Sequence, residues 1–264
     1  MRNALTLYGR YVGVSLRAQM QYRTSFLIQT LGIVLTTGIE FLGIWALFVK
    51  FNGLRGWKLE QVAVIYAVAH LGFAVAETFG RGFDMFYTQV KSGDFDRLLL
   101  RPRSTALQVM GSEFHLMRMG RAIQALCILG WAFYALHLSW NPLQLLTLLL
   151  AVLGGGCVFL GLFILQATLS FWTVEGLELA NIFTHGGTEA GQYPFSIYKP
   201  WFQRLFTFVV PLACVNYLPM SELLHHSEIS PALGLALPLV GLLFLLISLL
   251  FWRLGVRHYH STGS

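Results

Sequence analysis

The sequence predicts an all-α integral membrane protein with six transmembrane helices, and three observations carry that prediction. Of the 264 residues, 56% are hydrophobic and only 11% charged, against about 25% charged in a soluble domain. Apolar runs near or above the roughly 20 residues that cross a bilayer recur along the whole length. Those runs are long and uniform rather than alternating in ten-residue strands, which selects helices over a barrel. No stretch is left over for a separate soluble domain, so residues 1–264 read as one membrane domain.

The segment 1–23 is too charged to span, and it lacks the short apolar core and small-residue cleavage site of a signal peptide. Leu5, Tyr8, Val12 and Leu16 recur at helical spacing with Arg10 and Arg17 opposite, which predicts an amphipathic interfacial helix on the cytoplasmic surface. Thr24 to Val49 is the first span and holds Glu40 inside its apolar run. A carboxylate is costly there, so it is bonded to a neighbouring helix, placed near the outer mouth, or a functional group. Lys50 to Lys58 makes an outer loop. The second span, about Gln61 to Gly82, carries His70, Glu77 and Arg81; Glu77 and Arg81 stand four residues apart on one face, the spacing of an ion pair.

Segment 83–104 is the longest charged interruption, with Asp84, Lys91, Asp94, Asp96, Arg97, Arg101 and Arg103 between two hydrophobic runs. Ser92-Gly93-Asp94 is a turn and capping signal, Asp96 to Leu100 suits a short helix, and Arg101-Pro102 ends it. Either it is a solvated connector, or its mixed charges with Phe95, Leu98 and Leu99 form a docking element for a protein.

Ser104 to Arg121, with Glu113, His115, Arg118 and Arg121, approaches a third span, Ala122 to Leu138, and Ser139 to Asn141 is a short outer turn. Pro142 opens the fourth span, to about Thr173, where Gly154, Gly155, Gly156 and Gly161 allow close helix approach. The polar segment 174–203, with Glu175, Glu178, His185, Glu189 and Lys199, predicts short pieces lying along the cytoplasmic headgroups. Arg204 to Leu218 is then a fifth span interrupted by Pro211, Ser221 to Ser230 an outer loop with His225, His226 and Glu228, and Pro231 to Leu254 the sixth span. Cys127, Cys157 and Cys214 are scattered in apolar runs, giving no disulfide framework, and read as packing residues.

With both termini inside, fifteen basic residues fall on the inner side and three, Lys50, Arg55 and Lys58, on the outer side. That positive-inside bias places both termini and the 83–104 segment in the cytoplasm. The net charge of +6 then reflects topology and lipid headgroups rather than nucleic acid.

Six spans, a basic N-terminal helix, the string SGDFDRLLLRP from Ser92 to Pro102, and YPFSIY from Tyr193 followed by LFTFVVPLACVNYLP from Leu205 together resemble the permeases of ABC-2 type transporters, in the branch of roughly 260-residue bacterial members. The resemblance implies an exporter permease in the bacterial inner membrane. It implies two cytoplasmic ABC ATPase subunits that bind the ATP, and a second permease, identical or different. Lys91, Ser92, Gly93, Asp94, Phe95, Asp96 and Arg97 would be the ATPase-coupling segment, with an amphipathic drug, lipid or glycan as cargo. It further implies that the first, second and fifth spans border the route, and that the pair of short outer helices found in larger members is reduced here to Ser221–Ser230.

The chain has no Gly-x-x-x-x-Gly-Lys-[Ser/Thr] loop, so it is expected to bind no cofactor, to hold no catalytic or metal site and to be no enzyme itself. Three other readings compete: an ion-coupled secondary transporter relaying through Glu40, His70 and Glu77; an intramembrane hydrolase, for which only Ser170 and His185 pair on paper; and a scaffold subunit without transport.

Overall fold

The computed structural model describes residues 2–51, 53–137, 141–173, 177–227 and 229–259. Ser139, Glu175 and Glu228, named above, lie outside them, as does the side chain of Glu178. The described residues are helical almost throughout and contain no β-strand. Helix α1 is Arg2–Gln21, α2 Arg23–Phe51, α3 Leu59–Asp84, α4 Phe86–Lys91, α5 Asp94–Leu99, α6 Thr105–Ser112, α7 Met119–Ala135, α8 Pro142–Leu169 and α9 Leu177–Gly191. The rest comprises α10 Pro200–Arg204, α11 Leu218–Leu223, α12 Pro231–Ala236 and α13 Leu239–Arg257.

Four of these stretches are long and apolar enough to cross a membrane: α2, α3 continued by α4, α8, and α12 with α13. Their outer faces expose large apolar side chains, such as Leu27, Leu31 and Leu35 on α2 and Leu242, Leu246 and Leu250 on α13. Contiguous apolar surface on that scale demands lipid or a partner rather than water. The helices therefore make a multi-pass membrane protein.

Helix α3 is the axis of the bundle, buried over most of its length. It packs parallel to α8, which in turn packs parallel to α13, and glycines set both contacts. Gly72 meets Gly155 backbone to backbone, a Cβ on Gly72 falling 3.1 Å from the Gly155 carbonyl carbon. On the other side of α8, Gly154 abuts the backbone of Pro238 and Gly241 so closely that no Cβ fits at Gly154 or Gly241. The Gly154–Gly156 run is thus a packing device. Of the cysteines, Cys214 is buried but Cys127 is exposed, so it does not fill the packing role expected from the sequence.

Helix α7 runs antiparallel to α3 and parallel to α2. Its Gln124 donates to the Thr37 carbonyl of α2 and to the Tyr66 hydroxyl of α3. Helix α1 lies on α6 and the turn after it: Tyr11 covers Gly111, and Gln19 bonds both the Phe114 carbonyl and the Leu116 amide.

The structure differs from the sequence expectation after α8. Segment 174–203 does not lie along one end of the bundle. Helix α9 runs antiparallel beside α3, from Asn181, hydrogen-bonded to Gln166, through His185 against the Phe73 ring, to Gly191 beside Ala69. Ser196 then meets the loop before α3, where the Arg55 guanidinium donates to its carbonyl at 2.8 Å. The segment passes from one end of the molecule to the other. Its Thr184 and Thr188 hydroxyls bond carbonyls of their own helix, so the polar residues that suggest a surface position are satisfied internally.

Arg204 to Leu218 is correspondingly not one continuous span. Pro200–Val209 and Ala213–Leu223 form a pair bent by 87° around Pro211. Both ends adjoin the α2–α3 loop: Ser196 through Arg55, and Tyr217 and His226 through the Trp57 ring, on which His226 stacks at 3.9 Å. The bend itself reaches down to Gly187 of α9 through Leu212. Proline removes the amide that a straight helix would need, and two π-turns flank the break.

Candidate functional site

Two features gather the residues that the sequence singled out. The first is a buried ion cluster near the α4 end of α3. Glu77 is fully buried, and its carboxylate faces three arginines: Arg118 at 3.2 Å, Arg121 at 3.5 Å and Arg81 at 3.8 Å. The expected intrahelical pair with Arg81 is the longest of the three. Arg81 turns instead to Asp84, three residues on, in a short charge-assisted hydrogen bond. Asp84 is also reached by the Gln166 amide of α8 at 3.4 Å. Buried carboxylates at this depth stand only with such partners.

His70 sits above this cluster, its ring stacked on Tyr66 at 4.0 Å and its Nδ1 3.3 Å from Arg121. Arg121 also lies over the Phe73 ring, 5.0 Å from its centre. Glu40 does not join Glu77. It is half-buried on α2, within electrostatic reach of Arg121 and of Glu189 on α9, and one of its oxygens is buried without a hydrogen bond. The sequence-predicted polar residues thus meet through Arg118 and Arg121, which sequence reasoning left in a polar approach to the third span. The available signal was the basic pair three residues apart with no acid at matching spacing on its own helix.

The second feature is the hairpin formed by α4 and α5. Gly93 turns the chain with φ +74°, in the left-handed region that glycine adopts freely, and Ser92 Oγ donates to Asp94 Oδ2 at 2.7 Å. Lys91, Ser92, Asp94 and Arg97 are exposed, with Asp94 and Arg97 3.6 Å apart. Leu100, at the end of the hairpin, is 86% exposed. Phe95 departs from the docking role expected of it. It is fully buried in an aromatic hub with Phe86, Phe171, Trp252 and Tyr259, at ring separations of 4.9 to 6.2 Å. Asp96 is half-buried beside Tyr259; burial and the Asp96 carboxylate push the Tyr259 phenol up to about 12. Gln108 closes the base by donating to the Leu98 and Arg103 carbonyls, and Trp252 Nε1 donates to Thr105.

The hairpin therefore offers charge outward and is fixed inward by rings from α4, α5, the end of α8 and α13. The hub touches α3 through Phe83 and α13 through Trp252. No curated protein and no solved structure matches the chain. The family described as ABC-2 family transporter protein matches residues 34–263, which includes the ion cluster, the hairpin and the bent pair. The chain belongs to the ABC-2 family of transporter proteins.

Proposed function

We propose that the chain is the membrane-spanning permease of an ATP-binding cassette exporter, and that the α4–α5 hairpin is where a separate ATPase engages it. Family membership implies association with an ABC ATPase subunit. The observation that supports the hairpin assignment is its division of labour. Lys91, Asp94 and Arg97 are presented to solvent, while Phe95 ties the same turn to the helices that would have to move.

In this reading the hairpin end is cytoplasmic, α1 lies on the inner headgroups, and two ATPases serve a pair of permeases, identical or different. The six crossings are α2, α3, α7, α8, α9 and α13, not the set expected from the sequence. Helices α7 and α9, with 17 and 15 residues, are short for a span at about 25 and 22 Å, and each buries one face while leaving apolar side chains such as Leu126 and Ile182 exposed on the other. The bent pair Pro200–Val209 and Ala213–Leu223 dips in from the outer end and returns. It takes the place of the short outer helices that the sequence suggested were reduced to Ser221–Ser230. Lys199 and Arg204 then join the outer side, and the positive-inside bias keeps its sign.

An ion-coupled relay through Glu40, His70 and Glu77 is disfavoured. Arg121 stands between these groups, and a guanidinium does not give up its proton in a protein.

The test is retention of a partner ABC ATPase when it is co-expressed and purified with the chain. Asp94→Lys with Arg97→Glu is expected to lower retention about tenfold or more, since reversing exposed charges at an interface turns attraction into repulsion. Membrane insertion is expected to be unchanged. Unaltered retention, or labelling of Lys91 from the outside of intact cells, would overturn the assignment.

A further inference from the structure

Beside the ion cluster, a groove of about 350 Å³ opens between α2 and the start of α7, lined by Gln29, Thr36, Thr37, Met117, Arg118 and Arg121. A second hollow of about 380 Å³ shares Gln29 and Met117 with it and continues past Gln19, Tyr22 and Ser25 toward the α1 end of α2. The track thus begins near the junction of α1 and α2 and reaches Thr37, midway along α2. At mid-height of a membrane helix an ordinary lipid-facing groove would be apolar. This one has amide, hydroxyl and guanidinium groups and no carboxylate among its lining residues.

Its donors exceed the acceptors the protein supplies. Each guanidinium carries five N–H groups in a planar fork, and Arg118, Arg121 and Arg81 all converge on Glu77. Arg118 Nε is buried without a hydrogen-bond acceptor, and Arg121 Nε faces only the Glu77 carboxylate, at 3.5 Å. Arg118 keeps 26% of its side chain exposed and Arg121 14%. Leaving buried charged donors unpaired is costly, and a planar two-armed cation is the group best matched to a phosphate or carboxylate. The apolar part of the track comes from its own lining, Phe26 and Ile33 of α2 with Met117.

We infer that this groove binds the acidic head of a membrane amphiphile, a phosphate or carboxylate carried on an alkyl chain, with Arg118 and Arg121 holding the head and Gln29 and Thr36 at its rim. The inference rests on the proposed permease function and narrows its cargo to anionic amphiphiles.

The experiment is native mass spectrometry of the detergent-solubilised full chain, titrated separately with 1-oleoyl lysophosphatidic acid, lysophosphatidylcholine and inorganic phosphate. Two variants report on the groove. Gly32→Leu fills it: Gly32 lines the groove, and a Cβ there meets nothing within 4 Å, so the new side chain enters open space. Arg118→Gln removes one fork and leaves Glu77 with two arginines. The acidic lysolipid is expected to bind the wild type, and each variant to weaken it about tenfold or more, the scale of one lost charged hydrogen bond. The choline head is expected to bind at least tenfold more weakly than the phosphate head.

Equal binding of both lysolipids, or binding unchanged in Gly32→Leu, would overturn the inference. So would saturation of the site by inorganic phosphate alone, which would make it a free-anion site. A resident lipid is separated from cargo by a second arm. The lysophosphatidic acid must raise ATP hydrolysis by the reconstituted complex in the wild type and not in Gly32→Leu, and binding without that rise overturns the cargo claim. Because the titration uses the permease alone, loss of binding with the ATPase still retained defeats only the groove. Loss of ATPase retention with binding intact defeats only the coupling assignment.

Discussion

Replacing Glu77 with glutamine removes the one carboxylate on which three arginines converge. At an effective dielectric constant near 20, charges about 3–4 Å apart attract with roughly 4–5 kcal/mol each before desolvation and arginine–arginine repulsion are subtracted. Measured losses for breaking a buried pair fall at about 3–5 kcal/mol, because the charge left behind has no partner. Arg81 retains Asp84, so the burden falls on Arg118 and Arg121. In the detergent-solubilised protein, Glu77→Gln is expected to lower the apparent unfolding midpoint by on the order of 10 °C. The double variant Glu77→Gln with Arg118→Gln is expected to recover part of that, with a coupling of about 1–3 kcal/mol in the thermodynamic cycle. A midpoint within 1–2 °C of wild type for Glu77→Gln, or strictly additive effects in the double variant, would refute the view that this cluster is held by its opposed charges.

Three further outcomes follow from the packing. Phe95→Ala is expected to cost about 3–5 kcal/mol, lowering the unfolding midpoint and opening the hairpin to protease near Lys91, whereas Asp94→Ala changes stability by at most about 0.5 kcal/mol. Gly154→Val and Gly241→Val each place a side chain against backbone and are expected to abolish monodisperse expression as a fluorescent fusion, while Gly9→Ala, with open space around it, is expected to be neutral. The His115 ring, 2.6 Å away, holds the Glu113 carboxyl below its ordinary range, more strongly than burial raises it. A depressed carboxyl contributes its stability in full above its unfolded value near 4.5 and loses it as the pH falls through the lower folded value. Glu113→Gln is therefore expected to flatten the acid limb of the midpoint-versus-pH curve below about pH 4.5.

The long apolar helices were legible because composition alone decides them: α2, α8 and α13 have few polar residues to mislead. The hairpin was legible for a different reason, since Gly93 and Pro102 fix its turn and its end whatever surrounds them. Helix α9 was not. Asn181, Thr184, His185, Thr188 and Glu189 break its apolar run, and only the structure shows the hydroxyls closed on their own helix and His185 against Phe73. The 87° bend in the pair around Pro211 was not legible either, because Pro211 leaves two half-length apolar runs whose relative angle no local signal records. Within the ion cluster, the i, i+4 spacing of Glu77 and Arg81 suggested a self-contained pair. The closer partners come from the start of α7, 41 and 44 positions along the chain. Phe95 was grouped with its charged neighbours because a short helix has no periodicity long enough to show which side faces inward.

Where backbone touches backbone at Gly72–Gly155 and again at Gly154–Gly241, there is no side chain to yield, so α3, α8 and α13 form a slab that tilts as a unit. The aromatic hub sits on the edge of that slab, so the hairpin is packed against α3 and α13 through Phe83, Phe95 and Trp252. Helix α2 lies outside that slab, held mainly by α7 and bare along its outer face, with the polar track along its flank.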